Sequence, residues 1–156
     1  GPQGVRKVPI QEFYIKAGKV DLRPAEIQTA ILIPKESYDG YKGHYIKYAM
    51  RNAMDIATLG CSVNVKLTAD RQEIEDARIA YGVAGPVPMR APSAEKAVAG
   101  CKVSAESVER FAKEVLKDIR PRDSWRASKA FREHISYVLA KRALTEAIER
   151  SGGAVV

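Results

Sequence analysis

The sequence predicts an α+β fold in which an antiparallel β-sheet is followed by helices packed on one face of it. Three observations carry this. Cys61, Val63, Val65 and Leu67 alternate with Ser62, Asn64, Lys66 and Thr68, the period of a half-buried strand. Val108, Phe111, Ala112, Val115, Leu116 and Ile119 recur at helical spacing as one apolar stripe. Strand-like stretches come first and helical ones last, a segregation that favours helices stacked on a single sheet.

Taken in order, residues 1–34 are strand-like. Val5–Ile10 reads as a short strand that Pro9 confines to an edge or an end. Gly18-Lys19 is a turn, and Ile27–Ile33 is a β-branched run stopped by Pro34. This opening has no core of its own. Lys35 to Gly43 is polar and turn-rich, which marks a boundary and divides the chain into residues 1–36 and 37–156. From His44 to Ala57 cations and aromatics precede the single carboxylate Asp55. Ile46 and Tyr48 alternate with Tyr45 and Lys47, as in an extended segment with two faces. Arg51 and Asp55 are four apart and can instead pair on a helical turn, so two conformations stay open after Met50.

Asp70-Arg71-Gln72 turns the best strand into a partner at Ile74–Tyr81, giving a meander of three or more strands from about Tyr45 onward. Gly82–Pro88 holds two glycines and two prolines and cannot continue a ladder, so it reads as an ordered crossover to the helices. Ser93 is placed to cap a helix at Ala94–Ala99 that Gly100 stops, and Ser104 to cap the helix ended by Pro121. A long helix starts near Lys129, with Phe131, Ile135, Val138, Leu139, Arg142 and Ile148 on one side, and Gly152-Gly153 ends it.

The chain has 156 residues, 46% of them apolar, enough for one core without staples. Lys and Arg outnumber Asp and Glu by 26 to 19, a net charge of +7 that favours anionic partners without identifying one. Cys61 and Cys101 lie in no metal-binding spacing and read as buried thiols of a reduced, cytoplasmic protein. No apolar run is long enough for a membrane span. His44 and His134 assemble no Ser-His-Asp or Cys-His pattern, and no carboxylates pair suggestively. No catalytic residue and no metal ligand is therefore expected. Arg120, Arg122, Arg126, Lys129 and Arg132, near Trp125 and Phe131, form a basic cluster of the kind a nucleic-acid reader uses, diluted by Asp118, Asp123 and Glu133.

Four blocks carry a further pattern: Tyr45-x-Lys47-x3-Arg51-x3-Asp55-Ile56-Ala57; Ala77–Ala84 with Pro86, Pro88 and Arg90; Ala94-Glu95 with Gly100; and Pro121-x-Asp123-x2-Arg126-Ala127-Ser128-x2-Phe131-Arg132 with Leu139 and Arg142-Ala143. In that order they resemble the C-terminal domain of the FAD-binding subunits of molybdenum hydroxylases, most like the xanthine dehydrogenase type. Gly4-x-Arg6-x-Val8-Pro9-Ile10-x2-Phe13-Tyr14 and Leu22-x-Pro24-x-Glu26-Ile27 are similar to the last hairpins of that family's FAD-binding domain. The resemblance implies that residues 1–36 end an FAD-binding domain and 37–156 form the C-terminal domain. It implies electron relay from [2Fe-2S] clusters through FAD to NAD or another acceptor. It also implies that the clusters and the molybdenum cofactor are carried by an iron–sulfur subunit and a molybdenum-binding subunit. It implies that Lys47 reaches the flavin and that the backbone at Gln28 touches it. Arg51 and Asp55 then read as a pair orienting their segment, and Arg126 and Ser128 as structural, with subunit contact left open.

The glycine-rich loops that hold the FAD pyrophosphate in the family have no counterpart in this sequence. This chain alone is therefore expected to bind FAD weakly or not at all and not to be catalytic, the missing half being either the rest of a longer subunit or a separate chain. A second reading, a basic α+β module binding nucleic acid or a protein without redox chemistry, stands beside the first.

Overall fold

A computed structural model describes residues 1–156. The opening segment folds locally around one arginine. Pro9, with its fixed φ, starts a single turn α1 (Ile10–Phe13), followed by a hairpin of β1 (Tyr14–Lys16) and β2 (Lys19–Val20). Gly18 makes the turn at φ +72°. Arg6 donates to Asp21 Oδ2 at 2.8 Å and to Glu26 Oε1 and Oε2 at 2.8 and 2.7 Å, closing the segment on itself. The strands expected at Val5–Ile10 and Ile27–Ile33 do not form. Strand preference describes fit to a sheet surface, and no neighbouring strand lies beside either run. Ile27, Ile31, Leu32 and Ile33 stay exposed.

The remaining strands are β3 (Lys42–Tyr48), β4 (Leu59–Leu67), β5 (Glu73–Gly82), β6 (Met89–Arg90) and β7 (Cys101–Lys102). They form one antiparallel sheet in the order β3-β4-β5-β6, with β7 pairing the start of β5. The alternation read from the sequence holds: Cys61, Val63 and Val65 of β4 point into the core with Ile79 and Tyr81 of β5. The Gly82–Pro88 segment turns back as a hairpin, so Met89 and Arg90 pair with Tyr81 and Ala80 before the helices begin.

Three longer helices cover one face of this sheet: α2 (Pro92–Val98), α3 (Ala105–Asp118) and α4 (Lys129–Arg150). α4 lies on β3 and β4, α2 on β5, and α3 packs against both helices. Phe111, Val108 and Val115 of α3 join the core, each such burial stabilising by about 1.5–3 kcal/mol. Ser104 caps α3 as its position suggests, accepting from Ser107 N–H. Ser93 does not cap α2. Pro92 occupies the first helical position, and Ser93 donates through its N–H and Oγ to Asp118 at 2.8 and 3.0 Å, tying α2 to the end of α3.

The inward stripe of α4 is Arg132, Ile135, Ser136, Leu139, Ala140, Ala143, Leu144, Ala147 and Ile148. Phe131 and Arg142, expected in it, are off that face and exposed. Ile135, Leu139 and Ile148 are on it as expected, while alanines and a serine, which a search for large apolar residues passes over, let the helix approach the sheet closely. Tyr81 confirms that closeness: its hydroxyl reaches Ser136 O at 2.7 Å. No helix is long and apolar enough to cross a membrane.

Candidate cofactor-facing surface

The outer face of the sheet, opposite the helices, carries the candidate site. β3 turns His44, Ile46 and Tyr48 toward the helices; Ile46 packs on the core and Tyr48 meets the ring of Phe131 at 6.0 Å. Tyr45 and Lys47 therefore point outward and are exposed. Register places Lys47 opposite Gly60 and Gly60 opposite Gly82. Lys47 thus heads a row with no other side chain in it. A Cβ on Gly60 would stand 3.1 Å from the Tyr45 hydroxyl, so the missing side chain is what lets the tyrosine lie against the sheet. A Cβ on Gly82 would meet nothing within 4 Å. The neighbouring part of the same face is filled. Arg78 stacks on Tyr41 at 4.2 Å, donates to its hydroxyl at 2.6 Å and to Ser37 O at 3.2 Å.

The loop after β3 holds the lysine. Asp55 Oδ2 accepts from the N–H of Met50 and Arg51 at 2.9 and 3.1 Å, and Lys47 Nζ donates to Asp55 O at 2.6 Å. Arg51 donates from Nη2 to Met54 O at 2.7 Å. The segment is a closed loop rather than a helical turn or a continued strand. Arg51 and Asp55 do meet, but through the backbone N–H of Arg51, not through a guanidinium–carboxylate pair. Partial burial opposes ionisation of Asp55, yet the N–H groups of Arg51, Met50 and Ile56 hold its carboxyl below the usual range. Thr58 N–H closes the base onto Tyr48 O at 2.8 Å.

An ammonium fixed beside a smooth strip and a tyrosine suits a flat ligand with negative charge. Gln28 is placed differently: it is exposed in the opening segment, forms no hydrogen bond, and none joins it to Lys47. No three His, Cys, Asp or Glu side chains are grouped to hold a metal ion. Sequence reasoning missed the Gly60–Gly82 row, because it becomes visible only once strand register is known. The basic cluster is also rearranged. Arg132 turns into the protein and Phe131 is taken by Tyr48, so no alternating basic and aromatic track forms.

The family described as the CO dehydrogenase flavoprotein C-terminal domain matches residues 44–147. The chain belongs to this family. The matched CO dehydrogenase flavoprotein C-terminal domain holds Lys47, Asp55, Gly60 and Gly82, and runs from β3 nearly to the end of α4. The xanthine dehydrogenase FAD-binding subunit of Escherichia coli O157:H7 is 40% identical over 152 residues, which are 97% of this chain and 51% of that one. The glyceraldehyde dehydrogenase medium chain of Sulfolobus acidocaldarius is 34% identical over 143 residues, 92% of this chain and 49% of the relative. The chain thus spans about half the length of the curated relatives it matches. Among solved structures, a carbon monoxide dehydrogenase from Hydrogenophaga pseudoflava that lacks the Mo-pyranopterin moiety superposes with a TM-score of 0.81 at 25% identity. It covers 97% of this chain and 51% of that one. Quinoline 2-oxidoreductase from Pseudomonas putida 86 shares the fold, with a TM-score of 0.83 at 20% identity over 96% of this chain and 50% of its own.

Proposed function

We propose that this chain is the C-terminal part of the FAD-binding subunit of a cytoplasmic, xanthine dehydrogenase-type molybdenum hydroxylase. The observation that carries this is 40% identity over 97% of the chain to a xanthine dehydrogenase FAD-binding subunit. Residues 1–36 then end the FAD-binding domain, and 37–156 form the domain lying against the flavin. The partners are a molybdenum-binding subunit and an iron–sulfur subunit, with NAD or another molecule as acceptor. Bound flavin supplies the redox chemistry of the relay.

The residues present fit that group. Lys47 brings a positive charge to the Gly60–Gly82 row, where Tyr45 covers Gly60 and the space over Gly82 is open. Asp55 O fixes the ammonium, so little order has to be gained on binding. The role of Lys47 is to stabilise the negative charge that reduction adds to a bound ring system. Gln28 contributes through its backbone, whose unpaired N–H and C=O are free to contact the same ligand.

The test is Lys47→Met in the complete subunit, which keeps most of the apolar stem and removes the charge. Losing a charge-assisted hydrogen bond is worth about 1–3 kcal/mol. At about 59 mV per 1.4 kcal/mol for one electron, the flavin potential falls by tens of millivolts or more. Redox titration against Lys42→Met as control reads this. Equal potentials in Lys47→Met and the parent would remove Lys47 from the site.

A further inference from the structure

The loop between α3 and α4 is built as a rigid platform that holds out one large aromatic residue. Three groups inside it are fixed from beneath by Arg132. That guanidinium donates to Arg122 O, to Ala127 O at 3.1 Å, to Ser124 Oγ at 2.8 Å and, across to the residue before β4, to Thr58 O at 3.4 Å. Ser124 and Ala127 pair through both backbone groups at 3.0 and 3.2 Å, and Asp123 Oδ1 accepts from Lys129 N–H at 2.7 Å. Above this base Trp125 is 81% exposed, with the Arg126 guanidinium 4.1 Å from its ring centroid.

Charge at the loop is unbalanced. Arg120, Arg122, Arg126 and Arg132 form no salt bridge, and Lys129 has only Glu133 at 3.8 Å. Arg120 is spent on the carbonyls of Lys117 and Ile119, while Asp123, the acidic side chain within the loop, already serves Lys129 N–H. Trp and Arg are the residues that most often dominate binding at protein interfaces, and a preformed loop loses little freedom on docking.

We infer that the Trp125–Arg126 pair docks on an acidic surface of a partner subunit, with carboxylates facing Arg122 and Arg126 around a shallow apolar recess for the indole. This rests on the reading of the chain as one subunit of a hetero-oligomer. A nucleic-acid strand fits less well, because such sites offer successive aromatics along a groove and Trp125 stands alone. A second copy of this chain fits less well too: net charge is +7, and most acidic side chains near cations are already paired.

The experiment uses the complete flavin-loaded subunit and its co-expressed partner subunits. Association is measured for the parent, for Trp125→Ala with Arg126→Glu, and for Lys102→Glu. Lys102 pairs with the start of β5, at the far end of that strand from Ala84, which accepts from Arg120 N–H. The expected result is a loss of about tenfold or more in affinity for the double variant, larger at about 50 mM than at about 300 mM salt. Flavin content and thermal midpoint should match the parent, and Lys102→Glu should bind as the parent does. Unchanged assembly of the double variant would overturn the inference and leave the proposed function standing. So would a loss of assembly that tracks a lower thermal midpoint, or single-stranded DNA binding that the double variant abolishes. Failure of the parent subunit to assemble at all would overturn the proposed function and this inference with it.

Discussion

Replacing Arg132 with methionine would remove a buried cation and leave its acceptors behind. The side chain is 4% exposed and has no carboxylate partner; burial, with Arg122 and Arg126 nearby and only Asp123 opposing, draws its pKa below the usual arginine value. Buried charges can often be exchanged for apolar groups without loss, because the cost of stripping water from the ions is recovered. That exchange fails here, since the acceptors are chiefly backbone carbonyls that no substitution at residue 132 can remove. Three shorter bonds, to Arg122 O, Ala127 O and Ser124 Oγ, would be lost, and each buried acceptor left unpaired costs about 1–3 kcal/mol. Ser124 can turn to water and the recovered desolvation offsets part of the rest, so a net loss of about 2–4 kcal/mol is expected. For a domain of this size that lowers the thermal midpoint by roughly 4–16 °C. Arg132→Lys should recover little, because one ammonium cannot span acceptors on both sides of the loop. Thermal unfolding by circular dichroism reads both variants. A midpoint for Arg132→Met within about 1 °C of the parent would refute the idea that this residue organises the loop.

The two thiols should behave differently. Burial pushes Cys61 up to about 12, whereas Cys101 is half-buried, with Arg110 Nη2 3.0 Å from its sulfur. A thiol reagent at neutral pH should label one cysteine in the folded chain and two in denaturant, and rapid labelling of both would contradict the packing of β4. The Asp55 loop should be sensitive to acid. Because its folded pKa is depressed, its contribution is complete above the ordinary carboxylate value of about 3.9 and is lost as pH falls through the lower folded value. Amide shifts of Met50 and Arg51 should titrate in that acidic window and lose the transition in Asp55→Ala; persistence in the variant would assign it to another group.

How much of this was legible in the sequence depended on whether neighbours along the chain or across space decide the outcome. The alternation from Cys61 to Leu67 and the stripe of α3 were readable, because each records burial against a large partner in a single period. The α4 face was readable only in part, at Ile135, Leu139 and Ile148, since Ala140, Ala143 and Ala147 complete the contact and small residues carry a weak signal. Ile27–Ile33 has the composition of a strand, but a strand also needs a neighbour. Ser93 looked like a cap by local rules, and the long-range partner Asp118 took its hydroxyl. At the candidate site Lys47 was visible through its block of Tyr, Lys, Arg and Asp, while the glycines opposite it required the register.

The order in which the sheet and its cover occur along the chain sets the risk during synthesis. The apolar face of β4 and β5 is complete once Gly82 has been made, but α4, which covers β4 and β3, ends only at Arg150. The ribosome adds those roughly 70 residues at about 5–20 per second, so the face waits for roughly 4–14 s without its final layer. During that interval Val63, Val65, Ile79 and Tyr81 are available to other nascent chains, and the strand edges are unguarded. A chain released early, before α4, would keep the hydrogen-bonded meander while lacking the helix that covers β4 and β3. The last helix is therefore the step at which the newly made chain becomes safe from aggregation.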